Sequence, residues 1–377
     1  MAQVQDVIVV GGGIVGMLTA RRLADEGHSV TLVERDRVGR GASRAAGGIL
    51  SSLVPWESPP ALADMMAVSM EILPELATQL ENDTGIDCEF RRTGMLFLEC
   101  ENLDAAVAWA EAAGVAHRVL EPADVPTFEP AAARVEGRSL LLPDRAQVRN
   151  TRLLDALAKD LASRGVRILE RAGDAAIATA GAGLAVTTPA HGRLVSAEVV
   201  LAAGAWSGVL AKDLGLELPI VPIRGQMIWF QVPAAGIRRM ILRNRKYVVP
   251  REEGVVLCGS TLEEVGFDDR ITEAAREELA AAAAAIAPIL GATTIQGQWA
   301  GLRPGAPDNV PFVGAAPGVP GLWLATGHAR NGLNLAAGSA RLLADLMAGR
   351  KPCLDPAPYD PGRRLVLENE SNYNATH

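Results

Sequence analysis

Six residues near the N-terminus have the types and spacing of a phosphate-binding loop. Gly11-Gly12-Gly13-Ile14-Val15-Gly16 satisfies the pattern G-x-G-x-x-G, directly after an apolar run at residues 7–10 and before a helical pattern. In such loops the glycines permit a tight turn, a close approach of pyrophosphate to the backbone, and close packing of the helix on the strand. Glu34 ends the next strand roughly 20 residues further on, where a dinucleotide site places its ribose-binding carboxylate.

Two further glycine-rich segments bear on which dinucleotide is bound. Residues 38–49 are mostly small, which lets the backbone pass close to a large flat ligand. A nicotinamide enzyme more often continues here with another short βα unit. Residues 327–332, Gly-His-Ala-Arg-Asn-Gly, precede a helix, and such a turn can aim N–H groups at the anionic ring edge of a reduced flavin. These segments favour FAD over NAD.

Composition narrows the class of protein. The 377 residues suit two lobes, and 49% of them are hydrophobic, enough for a sizeable core. The net charge of −8 comes without a basic patch, so we expect no nucleic-acid partner. The four cysteines form no CxxC pair, so we expect neither a metal site nor a disulfide framework. No export signal or membrane span is evident, and we expect a cytoplasmic protein without stable membrane association.

The order of the predicted elements indicates the architecture. Strands of the nucleotide-binding type lie at both ends of the chain and in its middle, and antiparallel-looking strands lie between them. We therefore predict an α/β fold with a discontinuous Rossmann-like FAD-binding domain and an inserted α+β substrate domain that has a mainly antiparallel sheet. The predicted bounds are 1–86, 142–220 and 300–365 for the first domain, 87–141 and 221–299 for the second, and 366–377 for a tail.

Motifs along nearly the whole chain resemble those of the D-amino-acid oxidase family of flavoproteins, most closely its glycine oxidase branch of bacterial thiamine biosynthesis. The resemblance runs from Asp6 to about Pro358. The stretch at residues 259–268 and the ending at 327–332 are its most specific parts. The matching pieces are residues 6–16, 43–48, 201–206, 222–227, 247–251, 259–268, 301–304 and 327–332.

The loop motif and the resemblance together imply tight, non-covalent FAD. Relatives that attach flavin covalently use a cysteine in the last third of the chain, and here only Cys258 and Cys353 lie there. Cys258 belongs to an apolar strand, so we interpret it as a core residue. The expected cofactor-binding residues are Gly11, Gly13, Ile14, Val15, Gly16, Glu34, Arg35, Ser43, Arg44, Ala46, Gly47, Gly48, Ala203, Gly204, Trp206, His328, Arg330, Asn331, Gly332 and Leu333.

The resemblance also assigns the residues that hold the substrate. It implies that Arg303 binds a substrate carboxylate, that Tyr247 donates to the same carboxylate, and that Arg330 lies between the flavin edge and the pocket. An arginine suits this role because its planar fork binds both oxygens at once. From residue type alone, the arginines could be surface residues and Tyr247 a half-buried sheet residue. His328 is expected to have a structural or flavin-contact role, since the family needs no catalytic base.

The implied reaction is oxidative deamination of glycine or a related small or N-substituted amino acid. A hydride passes from Cα to the flavin, the imine hydrolyses to an oxo acid and an amine or ammonia, and dioxygen is reduced to hydrogen peroxide. The resemblance is compatible with a homo-oligomer. Three alternatives remain at this point: a D-amino-acid or N-substituted-glycine dehydrogenase that passes electrons to another carrier, a flavin-binding protein without turnover, and a nicotinamide-only dehydrogenase.

Two positions depart from the family pattern. Ala329 stands where many members carry an aromatic residue, and Asn334 where an aliphatic residue is usual. We hypothesise that the missing ring opens space above the flavin for an amine bulkier than glycine. The alternative is that Ala329 points away from the pocket and only packs.

Overall fold

The structure is a computed structural model, and it describes residues 5–233 and 236–363. The expected tail at 366–377 lies outside the described residues. The strands are β1 (Gln5–Val10), β2 (Val30–Val33), β3 (Ile49–Leu50), β4 (Arg91–Arg92), β5 (Met95–Phe97), β6 (Arg118–Leu120), β7 (Ser139–Leu142), β8 (Ala146–Gln147), β9 (Arg167–Leu169), β10 (Ala176–Ala180), β11 (Gly183–Thr188), β12 (Gly192–Leu201), β13 (Val221–Gln231), β14 (Met240–Arg243), β15 (Lys246–Pro250), β16 (Val255–Gly259), β17 (Ile295–Gly305), β18 (Phe312–Ala315) and β19 (Leu322–Thr326).

The helices complete the inventory of the described chain. They are α1 (Ile14–Asp25), α2 (Ala42–Ala45), α3 (Pro60–Thr84), α4 (Leu103–Ala112), α5 (Val125–Phe128), α6 (Asn150–Ser163), α7 (Ser207–Lys212), α8 (Glu273–Ile286), α9 (Pro288–Gly291) and α10 (Gly332–Met347). None of the helices in the described ranges is long and apolar enough to cross a membrane.

The first large sheet has a parallel centre. β1 lies between β2 and β12, while β9 extends the sheet beyond β2 and β19 pairs with β12, all in parallel. β10 and β11 form an antiparallel hairpin on β12. The apolar run 7–10 is fully buried, as a strand covered on both faces should be. Helices α1, α3, α6 and α10 pack together against this sheet and form the largest hydrophobic cluster.

The second large sheet has the order β17-β13-β16-β15-β14-β5-β7-β6 and is antiparallel except for the β5–β14 pair. Its longest pairing joins β13 to β17, with Ile223 opposite Arg303 and Gly225 opposite Gly301. Helix α8 covers one face, where Leu279, Ala283 and Ile286 are buried. The predicted fold class is thereby confirmed: a Rossmann-like parallel sheet combined with a mainly antiparallel second sheet.

The strand β17 is the main element that the sequence did not predict. Its eleven residues include Gly297, Gly301 and Pro304, which break any simple strand pattern. Pro304 is tolerated because β17 is an edge strand, where a missing N–H costs no ladder bond. β17 runs across the domain boundary expected at residue 300, as β7 does at residue 142, and the domain division itself stays a prediction.

The alanine-rich composition of residues 274–289 predicts a single helix, and the structure of α8 differs from that prediction. It ends at Ile286, and a separate short helix, α9, begins at Pro288. Ala287 between them is extended, with φ −139° and ψ 105°. A residue that precedes proline is driven out of the helical region by the proline ring, which accounts for the break.

Candidate active site

A cavity of about 1580 Å³ is lined by residues of both large sheets. The first sheet contributes the loops after β1, β2, β12 and β19, at the carboxyl ends of parallel strands where open α/β sheets bind ligands. The second sheet contributes residues of β13, β15 and β17. Small-molecule sites are commonly about 300–1,000 Å³, so this cavity can hold a dinucleotide together with a small substrate.

The phosphate loop is held in place by two side chains from the following elements. The Gly12 N–H donates to Glu34 Oε2 at 2.7 Å, and the Ile14 N–H donates to Ser43 Oγ at 2.9 Å. Gly16 does not line the cavity; a Cβ there would collide with the Gly11 carbonyl, so its role is close packing of α1 on β1. The loop thus presents the N-terminus of a twelve-residue helix to the cavity, the arrangement that binds phosphate.

A stack of three side chains lies beside Glu34. The Arg35 guanidinium carbon is 4.0 Å from the centroid of the Trp206 ring, and the Trp206 and Phe267 rings are 5.4 Å apart. All three line the cavity, and Arg35 also forms an ion pair with Asp174 at 3.5 Å. Because Glu34 marks the ribose position, the stack lies where the adenine of a bound dinucleotide is expected.

The small-residue stretch is held by side chains from the second sheet and from helix α6. Arg251 donates to the Gly47 carbonyl at 2.7 Å and to Gln147 Oε1 at 2.6 Å. Trp299 Nε1 donates to the Ala45 carbonyl at 2.9 Å, and Asn150 Nδ2 to the Ser43 carbonyl at 2.9 Å. Burial lowers the pKa of Arg251 to about 10, so the side chain is still charged at neutral pH. These bonds fix a backbone that passes along the cavity wall.

The turn before α10 places His328 and Ala329 in the cavity wall. His328 is buried, with Nε2 2.9 Å from Ser339 Oγ, and burial lowers its pKa to about 3. Ala329 faces the cavity rather than packing away from it, with φ +45°. Asn334 lies in the first turn of α10, is buried, and does not line the cavity. The structure therefore places one of the two unusual positions at the pocket.

Arg303, Tyr247 and Arg330 line one region of the cavity. The guanidinium of Arg303 lies over Gly225, where a Cβ would collide with it, and donates to Ser260 Oγ at 2.8 Å and to the Thr261 carbonyl at 3.1 Å. Arg330 makes no hydrogen bond or ion pair with any described residue. Burial first, and then the nearby positive charges of Arg303 and Arg245, lower the pKa of Arg330 to about 10. The guanidinium groups of Arg303 and Arg330 therefore border a part of the cavity where an anion can bind.

Most of the expected site residues line this cavity. Arg44 does not: it is half exposed and forms an ion pair with Asp155 at 3.1 Å. None of the cysteines lines the cavity, and Cys258 is buried in a strand, where burial raises its pKa to about 12. The expected residues that line the cavity are Gly11, Gly13, Ile14, Val15, Glu34, Arg35, Ser43, Ala46, Gly47, Gly48, Ala203, Gly204, Trp206, Tyr247, Arg303, His328, Arg330, Asn331, Gly332 and Leu333.

Many other residues line the cavity, and four of them have side-chain contacts at the site although they were not among the expected site residues. Phe267 lies in the specific stretch at 259–268, and Ser260 in the same stretch bonds Arg303. Arg245 and Glu57 form an ion pair at 2.6 Å. Phe267 and Ser260 could have been found from the motif at residues 259–268, whereas no motif marks Arg245 or Glu57.

The parallel sheet, its phosphate loop and a cavity shared with a second sheet define a dinucleotide-dependent oxidoreductase. The family model described as DAO, FAD dependent oxidoreductase, matches residues 6–346, and the chain belongs to this family. It is 43% identical over 374 residues to a glycine oxidase of Pseudomonas aeruginosa, covering 95% of this chain and 99% of the relative. It is 40% identical over 369 residues to a glycine oxidase of Pseudomonas putida, covering 96% and 99%.

A solved structure supports the same assignment. The crystal structure of glycine oxidase from Geobacillus kaustophilus superposes with a TM-score of 0.88 at 28% identity, covering 96% of this chain and 99% of that one. The predicted family, the enzyme class and the FAD cofactor are thus confirmed. The residues present fit FAD, since the phosphate loop, Glu34 and the pinned small-residue stretch all border one cavity.

The neutral, buried His328 predicts a specific pH dependence of stability. An unfolded histidine binds a proton near pH 6.5, whereas the folded one does so only near pH 3, so stability falls as the pH drops below 6.5. Between pH 7.5 and pH 5 this one group should lower the free energy of unfolding by about 2 kcal/mol. In His328→Gln this decrease in the free energy of unfolding should be absent. Urea unfolding at both pH values measures the decrease in the variant and in the wild type.

An exposed histidine serves as the control for this measurement. His191, between β11 and β12, is exposed and should keep the wild-type pH dependence when it is replaced by glutamine. Equal pH dependence of the wild type and His328→Gln would show that His328 is not held neutral in the folded protein.

The aromatic stack predicts an effect on cofactor affinity. Phe267→Ala should weaken FAD binding to the apoprotein about 3- to 10-fold, since an aromatic contact is worth about 0.5–1.5 kcal/mol. Phe267→Tyr, which keeps a ring, should bind FAD nearly as the wild type does. The dissociation constants can be measured by quenching of flavin fluorescence.

FMN and a neighbouring residue provide the controls. FMN lacks the adenylate, so Phe267→Ala should leave its affinity unchanged. Val265 is exposed in the same loop and does not line the cavity, so Val265→Ala should bind FAD normally. A parallel loss for FAD and FMN would place Phe267 away from the adenine.

Proposed function

We propose that the chain catalyses the FAD-dependent oxidative deamination of glycine or a related small or N-substituted amino acid, with dioxygen as the electron acceptor. The products are an oxo acid, an amine or ammonia, and hydrogen peroxide. The observation that carries the proposal is the grouping of Arg303, Arg330 and Tyr247 in one cavity, with no described acid facing Arg330. Two relatives of this chain are glycine oxidases, which supports the same activity.

The two arginines supply the carboxylate site. Arg303 is fixed by Ser260 and the Thr261 carbonyl, so its guanidinium is already oriented before a substrate enters. Arg330 has no acceptor among the described residues, and a carboxylate would provide one. Charge-assisted hydrogen bonds to a guanidinium are roughly twice as strong as neutral ones, which suits binding of a small anionic group. Tyr247 is buried in the same wall and supplies a hydroxyl donor.

The chain positions the substrate and leaves the redox chemistry to its cofactor. When bound, FAD accepts the hydride from the substrate Cα and passes two electrons to dioxygen. Fixing the carboxylate orients Cα, and orientation alone can supply a large part of a rate enhancement. His328 cannot take up a proton readily at neutral pH, because its pKa is near 3. The wall of Gly47, Gly48 and Ala329 leaves room for a substituent on the amine.

Spectroscopy of the purified holoprotein tests this proposal. Glycine, sarcosine, larger N-alkyl glycines and D-alanine are added in air, and both flavin bleaching and peroxide are recorded. Bleaching by one of them with stoichiometric peroxide is the expected result. Bleaching without peroxide would show a dehydrogenase, and no bleaching by any of them would overturn the substrate assignment.

The carboxylate clamp predicts a loss of binding in Arg303→Lys. Lysine keeps the charge but loses the planar fork, so the affinity for a carboxylate should fall about 100-fold. Glycolate, which has the carboxylate but no amine, allows a direct titration of the flavin spectrum in the holoenzyme. The variant should retain its bound flavin.

Arg44→Lys is the matched control, because Arg44 is half exposed, is paired with Asp155 and does not line the cavity. It should bind glycolate as the wild type does. If Arg303→Lys also binds glycolate normally, Arg303 is not the carboxylate site.

A further inference from the structure

The segment that follows β16 carries one residue more than the part of β13 opposite it. The regular ladder of β16 with β13 ends at the pair Gly259–Met227. A single further bridge pairs Glu263 with Arg224. Between these two pairs lie two residues of β13 but three of the segment, which is the unequal count of a β-bulge. Bulges are frequent next to active sites, where they redirect side chains, so this one is a reason to ask what it redirects.

Within the bulge, Thr261 uses its side chain where the ladder would have a backbone acceptor. The Gln226 N–H donates to Thr261 Oγ1 at 2.8 Å, and the Thr261 N–H donates to the Gln226 carbonyl at 3.2 Å. The Thr261 carbonyl turns instead to Arg303 and accepts from Nη1 at 3.1 Å. Ser260 Oγ accepts from Nη2 of the same guanidinium at 2.8 Å. Two acceptors of Arg303 thus depend on the conformation of the bulge.

A buried polar network borders the bulge. Its members are Arg224, Gln226, Thr261, Glu263, Thr272 and Gln298. Gln226 is fully buried, and its Oε1 accepts from the Thr272 N–H and from Gln298 Nε2, both at 2.9 Å. Its Nε2 donates to Glu263 Oε1 at 2.8 Å and to Thr272 Oγ1 at 3.0 Å. Because a backbone N–H only donates and a carboxylate only accepts, the Gln226 amide has a single orientation.

Glu263 is the centre of this network. Its Oε1 accepts from Thr261 Oγ1 at 2.6 Å, and its Oε2 accepts from Arg224 Nε at 3.1 Å and also from Arg224 Nη2. Burial raises the pKa of Glu263, but the hydrogen bonds from Arg224, Thr261 and Gln226 outweigh it, and the pKa lies below its ordinary value. The carboxylate is therefore charged at neutral pH. Since it can only accept, the Thr261 hydroxyl donates to it and keeps a lone pair for the Gln226 N–H.

The network lies on the face of β13 away from the Arg303 guanidinium. Successive side chains of a strand point to opposite faces, so Arg224 and Gln226 share one face and Gly225 belongs to the other. The guanidinium lies on the Gly225 side, where a Cβ would collide with it. The network therefore acts on the guanidinium through residues 260–261, whose backbone is held on one side and binds Arg303 on the other.

We propose that Glu263 is a positioning residue for the substrate carboxylate and acts through Thr261 on Arg303. The inference rests on the proposed function, because it takes Arg303 as the carboxylate site. Glu263 holds the Thr261 hydroxyl, and that hydroxyl holds the ladder at Gln226, so the Thr261 carbonyl keeps facing the guanidinium. A group that binds substrate stays in its productive geometry only where its neighbours are themselves fixed by hydrogen bonds. Loss of either link therefore loosens the orientation of Arg303.

Glycolate binding to the holoenzyme measures this role. Thr261→Val keeps the shape of the side chain but loses the hydroxyl, so the affinity for glycolate should fall about 5-fold, the effect of one net hydrogen bond. Glu263→Gln should weaken binding about 10-fold, because an amide has one acceptor oxygen for the donors that the carboxylate now accepts. Thr261→Ser, which keeps the hydroxyl, should bind glycolate nearly as the wild type does. Wild-type affinity in both Thr261→Val and Glu263→Gln would refute the proposal.

A double-mutant cycle shows whether Thr261 acts through Arg303. If it does, Thr261→Val should weaken glycolate binding much less in the Arg303→Lys background, because the fork that the Thr261 carbonyl orients is then absent. A loss of the same size in both backgrounds would contradict the proposal. Each affinity is read from the flavin spectrum, so only protein that has folded and bound its cofactor is counted.

Glu264→Gln is the matched control. Glu264 is the next residue along the chain, is exposed and does not line the cavity, so this variant should bind glycolate as the wild type does. A loss equal to that of Glu263→Gln would speak against a specific role of Glu263.

The same titrations separate this inference from the proposed function. Weak binding by Arg303→Lys together with normal binding by Thr261→Val and Glu263→Gln would overturn the inference alone. No binding of glycolate to the wild type, or normal binding by Arg303→Lys, would overturn the carboxylate site and the inference with it.

Discussion

Two guanidinium groups at close range in a buried cavity are the constraint on which the site depends. Removing a charge from water is unfavourable, and a like charge nearby adds to the cost. The pKa of Arg330 is lowered to about 10 by burial first and by Arg303 next, so Arg330 is still charged at neutral pH. Such an arrangement is held by the surrounding fold and is relieved by an anion. In the proposed function, the carboxylate of a substrate is that anion.

The fold meets this constraint through the pairing of β13 with β17. The ladder sets Gly225 beneath the Arg303 guanidinium, and only a residue without a Cβ leaves room there. The stretch after β16 then brings Ser260 and Thr261 to the same guanidinium as neutral acceptors. Arg251 and Trp299 bind the small-residue stretch of the cofactor wall from the same sheet. The proposed substrate clamp and the cofactor wall are thus both held by residues of the second sheet.

Sequence alone predicted the parts of the site that follow local rules. The phosphate loop and Glu34 obey fixed spacing within one βαβ unit, and the predicted positions of β1, α1 and β2 agree with the structure. β17 was missed because its glycines and Pro304 do not form a strand pattern. They are tolerated because β17 lies at the edge of the sheet and pairs there with β13. The Arg35–Trp206 contact and the Arg245–Glu57 pair join residues more than 150 positions apart, and the Trp206–Phe267 contact joins residues 61 positions apart. Side-chain contacts at such separations depend on tertiary packing, which local patterns do not encode.

The same electrostatics explain how the proposed reaction can proceed without a catalytic base. Oxidation at Cα requires the neutral amine, but a free amino acid carries an ammonium group at neutral pH. Positive charge nearby disfavours an ammonium group, so in the proposed complex a guanidinium such as that of Arg330 lowers the pKa of the substrate amine. The proton can then leave to water, and no side chain has to accept it. A neutral His328, buried against Ser339, fits this division of roles, because it neither accepts the proton nor adds a positive charge to the cavity wall.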